Sequence, residues 1–516
     1  MWQRDAAGRT RREVGCALAA LIAMLPSSAR ARPIFDIRDH GARGDGVTLD
    51  TDAVNRAIEA SARAGGGTVR IPAGHYPCFS IRLRSNVAIL LEKGAVVEAA
   101  DPARHGGRYD DPEPGSSGLY QDFGHSHWRN SLFWGDGIEN VSITGPGMIH
   151  GLGLTREGPR AGWTRETGER PLSMRGMSAA DIAKLEPGVA AMRGLGNKAI
   201  SLKNCRGVHL SDFTLLRGGH IGILLTGVRG VTIDRLVIDT QRDGIDLDAV
   251  TDATVTNCRV NSPNDDAIVV KASYGLERLA ASENIVIRDC EVSGYDLGTL
   301  VDGTRQRTQQ FAPDRDRPTG RIKLGTESNG GYRHILIERC RFDHCRGLAL
   351  ETVDGGAMED VTVRSLRLND VTSAPIFVRL GDRRRGPSGT QIGSTRGITI
   401  SDFEATAIDP RFAAMIAGIP GHPVTGVMLR NIHLQFLGGG SAVDAARVPE
   451  EHPEAYPEPS MFGTLPAWGL WVRHARDVTI DRLTMETLRP DARPPILVQD
   501  AQNLRVTGTP LWKGPS

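Results

Sequence analysis

Short alternations of apolar and polar residues recur along the chain. GVHLSDF (207–213), GVTIDRL (230–236), DATVTNC (252–258), NIVIRDC (284–290) and HILIERC (334–340) share one pattern. A first apolar anchor is followed two positions on by another, and three further on by Cys, Leu or Phe. The pattern continues in DVTVRSL (360–366), GITISDF (397–403), GVMLRNI (426–432) and DVTIDRL (477–483), with weaker copies at NVSIT (140–144) and NLRVT (503–507). The first anchors are Val208, Val231, Ala253, Ile285, Ile335, Val361, Ile398, Val427 and Val478, spaced by 23, 22, 32, 50, 26, 37, 29 and 51 residues. Alternation of period two predicts short strands, and no helix-length periodic segment lies between them. A base period of 22–26 residues with variable insertions is the mark of a solenoid. Such a unit cannot bury its apolar face alone, so neighbours must stack. The expected fold class is all-β, a single-stranded parallel β-helix.

Stacking places the same repeat position of successive coils in one column, about 4.8 Å apart. Cys258, Cys290 and Cys340 share a position with Leu236 and Leu366, so they are expected inside as small apolar groups rather than in disulfides. The ends of a solenoid need covers. DAVNRAIEASAR (52–63) reads as an amphipathic helix with Val54, Ile58 and Ala62 on one face, a short N-terminal cap. The body is expected to be one domain over 33–512, with the Pro-rich stretch 447–466 as a loop within it. The long gaps 290–335 and 432–478 insert loops that wall a groove.

Residues 1–31 are set apart. Arg11 and Arg12 precede a short apolar stretch from Val14 to Leu25, and Ala29-Arg30-Ala31 offers a small-x-small cleavage site. This reads as a cleaved signal peptide, too short for a membrane span, and its paired arginines also suit the twin-arginine route. The mature chain is expected to be exported to the periplasm or beyond, as a monomer without a membrane span. With 62 basic and 61 acidic residues the formal net charge is +1, without the basic excess that nucleic-acid binding requires.

Candidate chemistry lies in two adjacent repeats. DTQRDGIDLD (239–248) supplies Asp243, Asp246 and Asp248; PNDDAIVVK (263–271) supplies Asp265 and Asp266. Asp243 and Asp266 are 23 residues apart, one base period, so Asp243 should neighbour the 265–266 pair on the same face. Three carboxylates in one patch raise the pKa of at least one, which holds one acid protonated while another stays ionised. Asp246 and Asp248 are read as turn or supporting groups. Clustered carboxylates also suit a calcium ion, but the expected site uses neither metal nor cofactor.

FDIRDHGARGDGVTLDTDAVNRAIEASARAGGGTVRIPAGHY resembles the N-terminal signature of exported pectinase-type β-helix proteins. RDGID followed by NDDAIVVKAS resembles two motifs of glycoside hydrolase family 28, the polygalacturonases, N-T-D-G-x-D and G-D-D-x-x-x-x-K-S. The similarity runs from about Phe35 to Val506. It implies a right-handed parallel β-helix and hydrolysis with inversion at the anomeric carbon. Asp265 would be the general acid, while Asp243 and Asp266 would hold and deprotonate the attacking water, at the roughly 6.5–9.5 Å separation of inverting enzymes. Lys271 matches the family's lysine after the acid pair. Two motifs depart. Where the family has G-H-G, TGRIKLGTES (319–328) puts Gly320 at the histidine. Where it has R-I-K, GLALETVDGG (347–356) puts Ala349 and Glu351 in place of the cations that grip a uronate carboxylate.

Arg321 and Lys323 are expected to substitute from the coil before, and Glu351 to bond sugar hydroxyls or pair with Arg321. His220, one coil before Asp243, is expected to face the cleft; Tyr274, Tyr295 and Trp468 are loop residues suited to stacking on sugar rings. The leading function is hydrolysis of pectin-type plant polysaccharide, exo-acting if the walls close one end. The rivals are a polysaccharide lyase, which needs calcium and a strong base such as Arg or Lys, and a non-catalytic glycan-binding solenoid.

Overall fold

The anchors read from the sequence are the residues that pair. In the computed structural model, which describes residues 32–113, 125, 127–155, 193–508 and 511–513, Val208 pairs with Val231 and Val231 with Ala253. Ala253 pairs with Ile285, Ile285 with Ile335 and Ile335 with Val361. Val361 pairs with Ile398, Ile398 with Val427 and Val427 with Val478. Every pairing between these strands is parallel. The coils build three ladders, illustrated by Asp243–Asp248, Thr251–Thr256 and Arg259–Asn261, and from Ala357 on one long strand runs through two of them. Residues from Ile34 onward form one compact unit. The signal-peptide expectation falls on residues 1–31, which lie outside the described residues.

The corners explain the remaining letters of the repeat. The residue before the first anchor and the one four after it adopt left-handed backbone: Asp252 (φ 60°) and Asn257 (φ 55°) flank one anchor strand, Asn284 (φ 57°) and Asp289 (φ 55°) the next. Asn, Asp and Gly tolerate this conformation, β-branched residues do not. Between the corners, alternate residues turn inward and are fully buried, with Ile285 and Ile287 both at 0% exposure. Cys258, Cys290 and Cys340 lie in the core as free thiols, as the column predicts. The helix Thr51–Arg63 buries Ala53, Val54, Ala57, Ile58 and Ser61, with Ala62 packed against the same core. It meets the first strands, Ile34–Asp36 and Gly67–Ile71.

One ladder carries the acids. It runs through Asp243–Asp248, Ile268–Lys271, Ile322–Leu324 and Leu348–Thr352. Its pairings are Ile245 with Ile268, Val269 with Lys323 and Lys323 with Ala349. The insertions 272–281, 294–321 and 437–469 leave and rejoin the coils around it.

The inward column sets the stability of each coil. Ile287→Ala should cost about 2–5 kcal/mol, the usual range for emptying a packed aliphatic site. Arg288→Ala, at its exposed neighbour, should stay within about 0.5 kcal/mol. Urea-unfolding midpoints of the two variants check the contrast.

Candidate active site

The register that pairs Ile245 with Ile268 brings Asp243 to Asp266. The Asp266 N–H donates to Asp243 Oδ1 at 3.1 Å. Asp265 and Asp266 stand on the turn that enters the strand Ile268–Lys271, and the next coil pins that turn. The Thr319 N–H donates to the Pro263 carbonyl (3.0 Å), Gly320 to that of Asp265 (2.9 Å), and Ala267 donates to Arg321 (2.9 Å). Gly320 has φ 55°, and a Cβ there would lie 2.1 Å from the Ser293 carbonyl oxygen. No histidine fits at that position.

One carboxylate oxygen from each of Asp243, Asp265 and Asp266 lies within 4.8 Å of the others. The three acids are therefore neighbours, as the spacing predicts.

Their surroundings differ. Asp265 keeps 24% of its side chain exposed and accepts from Arg242 Nη2 at 2.7 Å. Its burial beneath the turn, joined by the charges of Asp243 and Asp266, outweighs Arg242 and pushes its carboxyl up to about 6. Burial alone would raise Asp266 as well. Lys323 and Arg321 reverse this and hold it at about 2. Arg321 Nε donates to Asp266 Oδ1 at 2.8 Å, and Lys323 Nζ lies 3.3 Å from Oδ2. Burial and two neighbouring acids thus raise one of the adjacent aspartates, while two cations lower the other.

Lys271 reaches back across the coil to Asp246 (2.9 Å) and Asp243 (3.1 Å). Burial works against its charge, but those two carboxylates keep it protonated, well above the ordinary lysine value. His125 completes this group, with Nε2 2.9 Å from Asp246 Oδ2 and in contact with Lys271 Nζ. Asp243, Asp246 and His125 have metal-ligating atoms within 4.8 Å of one another. The ammonium of Lys271 already supplies a cation among them. Asp248 accepts from the Ser273 N–H (2.7 Å) and Oγ (2.6 Å), tying the next loop to the sheet.

The coil beyond holds the cations expected to stand in for the family's missing pair. Arg321 donates through Nη2 to Glu458 Oε1 at 2.6 Å and through Nη1 to Oε2 at 3.2 Å. Lys323 approaches Glu351 Oε2 at 3.5 Å and the Tyr456 hydroxyl at 3.5 Å. Glu351 lies 3.9 Å from Arg321, the pairing anticipated for it. Burial pushes Glu351 up to about 7 against the pull of Lys323 and Arg321.

Other expectations need correction. Tyr295 is buried, its hydroxyl bonded to Asp343 and its ring under Arg307, in a cavity of about 400 Å³ on the third ladder. None of the three acids lines that cavity. Trp468 packs edge-on against Phe436 at 5.7 Å in the core rather than facing sugar. Ile221 pairs with Asp243, and His220 stands beside it, as buried as Asp243 and Asp266 themselves. Tyr274 is half-buried on the loop beside His125.

His125, Arg242, Tyr456 and Glu458 escaped sequence reasoning. Arg242 was accessible to it, because Arg242 and Asp265 are also 23 residues apart and the register argument applies to both pairs. His125 lies 146 residues before Lys271, and Glu458 lies 137 after Arg321. Neither belongs to the repeat, so nothing local announced them.

Comparison with known proteins follows this geometry. Residues 34–98 match a family model described as rhamnogalacturonase A/epimerase, pectate lyase-like, and residues 198–392 match the right-handed β-helix region. A probable polygalacturonase of Vitis vinifera is 25% identical over 456 residues, 84% of this chain and 80% of that protein. An exo-poly-α-D-galacturonosidase of Dickeya chrysanthemi is 24% identical over 262 residues, 47% of this chain and 42% of that one. The solved family 28 exopolygalacturonase of Yersinia enterocolitica superposes with a TM-score of 0.63 at 18% identity, over 94% of this chain and 80% of its own. The chain is a right-handed parallel β-helix protein that is similar to proteins named polygalacturonase.

Proposed function

We propose that the protein is an exported glycoside hydrolase that cleaves glycosidic bonds of pectin-type plant polysaccharide. The observation that carries this reading is the division of labour among three converging carboxylates. Asp265 is the least buried of the three and holds a proton to near pH 6. Asp266 and Asp243 are locked in place by Arg321, Lys323 and Lys271. Asp265 donates its proton to the glycosidic oxygen as the C–O bond breaks, and Asp243 with Asp266 orients and deprotonates the water that attacks the anomeric carbon. The sugar and its water displace Asp265 from its close approach to the other two, and the product anomer is inverted. With the insertion 437–469 walling the groove beside Arg321, cleavage proceeds from a chain end.

A lyase needs an uncharged strong base. Lys271, Arg321 and Lys323 are all held charged by acids. Lys198, which burial pulls down to about 7, is fully buried and bonded to Asn197.

Asp265→Asn should lower hydrolysis of pectin-type oligosaccharides by about 10²–10⁴-fold, with unchanged thermal unfolding; undiminished turnover refutes the assignment. Since Asp265 must be protonated to act, kcat/KM should fall as pH rises through about 6. Asp266, held at about 2, imposes no acid-side loss until far lower pH. A profile flat to pH 8 would be incompatible with these roles. Proton NMR of the first product should show the inverted anomer, and product sizing a single short species.

A further inference from the structure

The cavity of about 400 Å³ on the third ladder plays no part in the acid site. It is a groove along the solenoid axis. Its rim is one outward column, in which Glu291 pairs with Arg341, Arg341 with Arg367 and Arg367 with Glu404. With coils about 4.8 Å apart, that column is about 14 Å long. The column beside it, Asp343, Asn369 and Thr406, forms the floor. Tyr295 and Arg305, from the insertion 294–321, supply a wall. That wall is held in place by its own bonds. Asp296 accepts from the Thr308 and Gln309 N–H groups at 3.0 and 2.8 Å. Asp239 accepts from the Leu300 N–H at 2.9 Å, and Arg307 bridges Asp343 (2.8 Å) and Asp370 (2.9 Å). A site fixed in advance loses little order on binding.

Glu291 and Glu404 stand at the two ends of the rim, with the two arginines between them. Like charges opposite one another on neighbouring strands are destabilising unless counter-charge is at hand. Among the described residues Arg305 and Arg341 have no salt-bridge partner, and Arg367 has Glu404 alone, at 3.9 Å. Asp343, the acid in the floor, is already spent. The Tyr295 hydroxyl and Arg307 Nη2 (2.8 Å) donate to its Oδ2, and Asn369 Nδ2 (2.7 Å) to its Oδ1. The middle of the groove is therefore lined by guanidinium groups with donors to give, and a guanidinium fork matches a carboxylate. Around them the Asn369 amide, the Thr406 hydroxyl and the two end carboxylates suit sugar hydroxyls. A bare anion would use the arginines alone; a chain of acidic sugars uses the whole groove.

We propose that this groove is a second, non-catalytic binding site, which takes a uronate-bearing polysaccharide along the solenoid axis with its carboxylates on Arg341, Arg367 and Arg305. Binding here goes beyond the hydrolase reading and uses none of Asp243, Asp265 and Asp266. The turn that carries Asp265 follows directly on the third-ladder strand Arg259–Asn261. A chain held in the groove therefore stays one corner from the acids, at a raised effective concentration.

Calorimetric titration of the Asp265→Asn protein with a uronate oligosaccharide tests it, with and without the added pair Arg341→Gln and Arg367→Gln. Both arginines are exposed, so thermal unfolding should not change. The pair should weaken one binding event at least about tenfold and leave any event at the acids as it was. The same oligosaccharide with its carboxyls methyl-esterified should give no heat that depends on the two arginines. Inorganic phosphate should compete for the groove at least about a hundredfold more weakly than the oligosaccharide. Binding that the paired change leaves intact overturns the proposal, as does the absence of binding. Equal affinity for the esterified chain overturns it by removing the role of charge, and equal competition by phosphate by reducing the groove to a bare anion site. If only one event is seen, its loss in the paired variant places it in the groove and its persistence rejects the groove. Because the readout is binding alone, a failure of the hydrolase reading leaves this result standing.

Discussion

Everything in this molecule depends on one constraint, the in-register parallel pairing of successive coils. Each backbone ladder fixes the rise between coils, so a residue's place in the repeat becomes its place on a face. Ile245 opposite Ile268 decides where Asp243 meets Asp266, and Val269 opposite Lys323 decides which cation stands behind that acid. A slip of one residue would turn every inward side chain outward. Left-handed corners such as Asn257 and Asp289 enforce the register at each turn, because the bend admits few residue types.

On that frame the chemistry is built from charge pairing rather than from exposed functional groups. Asp265 and Asp266 are chemically identical and adjacent, yet one rests on a partly open turn with a single arginine while the other points into two buried cations. The difference in environment turns one residue type into a proton reservoir and a fixed anion. The same pairing keeps the site's cations charged and occupied.

The sequence was legible wherever the repeat speaks. All nine anchors pair as spaced, the thiol column lies inside, and the helix over Thr51–Arg63 covers the first coil. The meeting of Asp243 with Asp266 followed from the same period. The fourth-motif comparison also carried through, since Lys323 pairs with Ala349 and lies one coil before it. Legibility stopped at the insertions, where the chain leaves the period. Tyr295 looked like a groove aromatic because it sits on a loop, but that loop folds over the third ladder toward Asp343. Glu458 gave no sign at all, because only the return of a long insertion places it against Arg321.

Glu458 belongs to the insertion 437–469, yet its carboxylate is also the counter-ion of the arginine that fixes Asp266. Loops that border a groove are usually regarded as interchangeable parts, open to grafting when a different polymer is wanted. Here the border and the reacting centre are wired together. Replacing the loop would strip Arg321 of its main partner and release it toward Asp266 and Glu351, altering both in one step. A change on the Glu458 side must therefore arrive with a compensating acid.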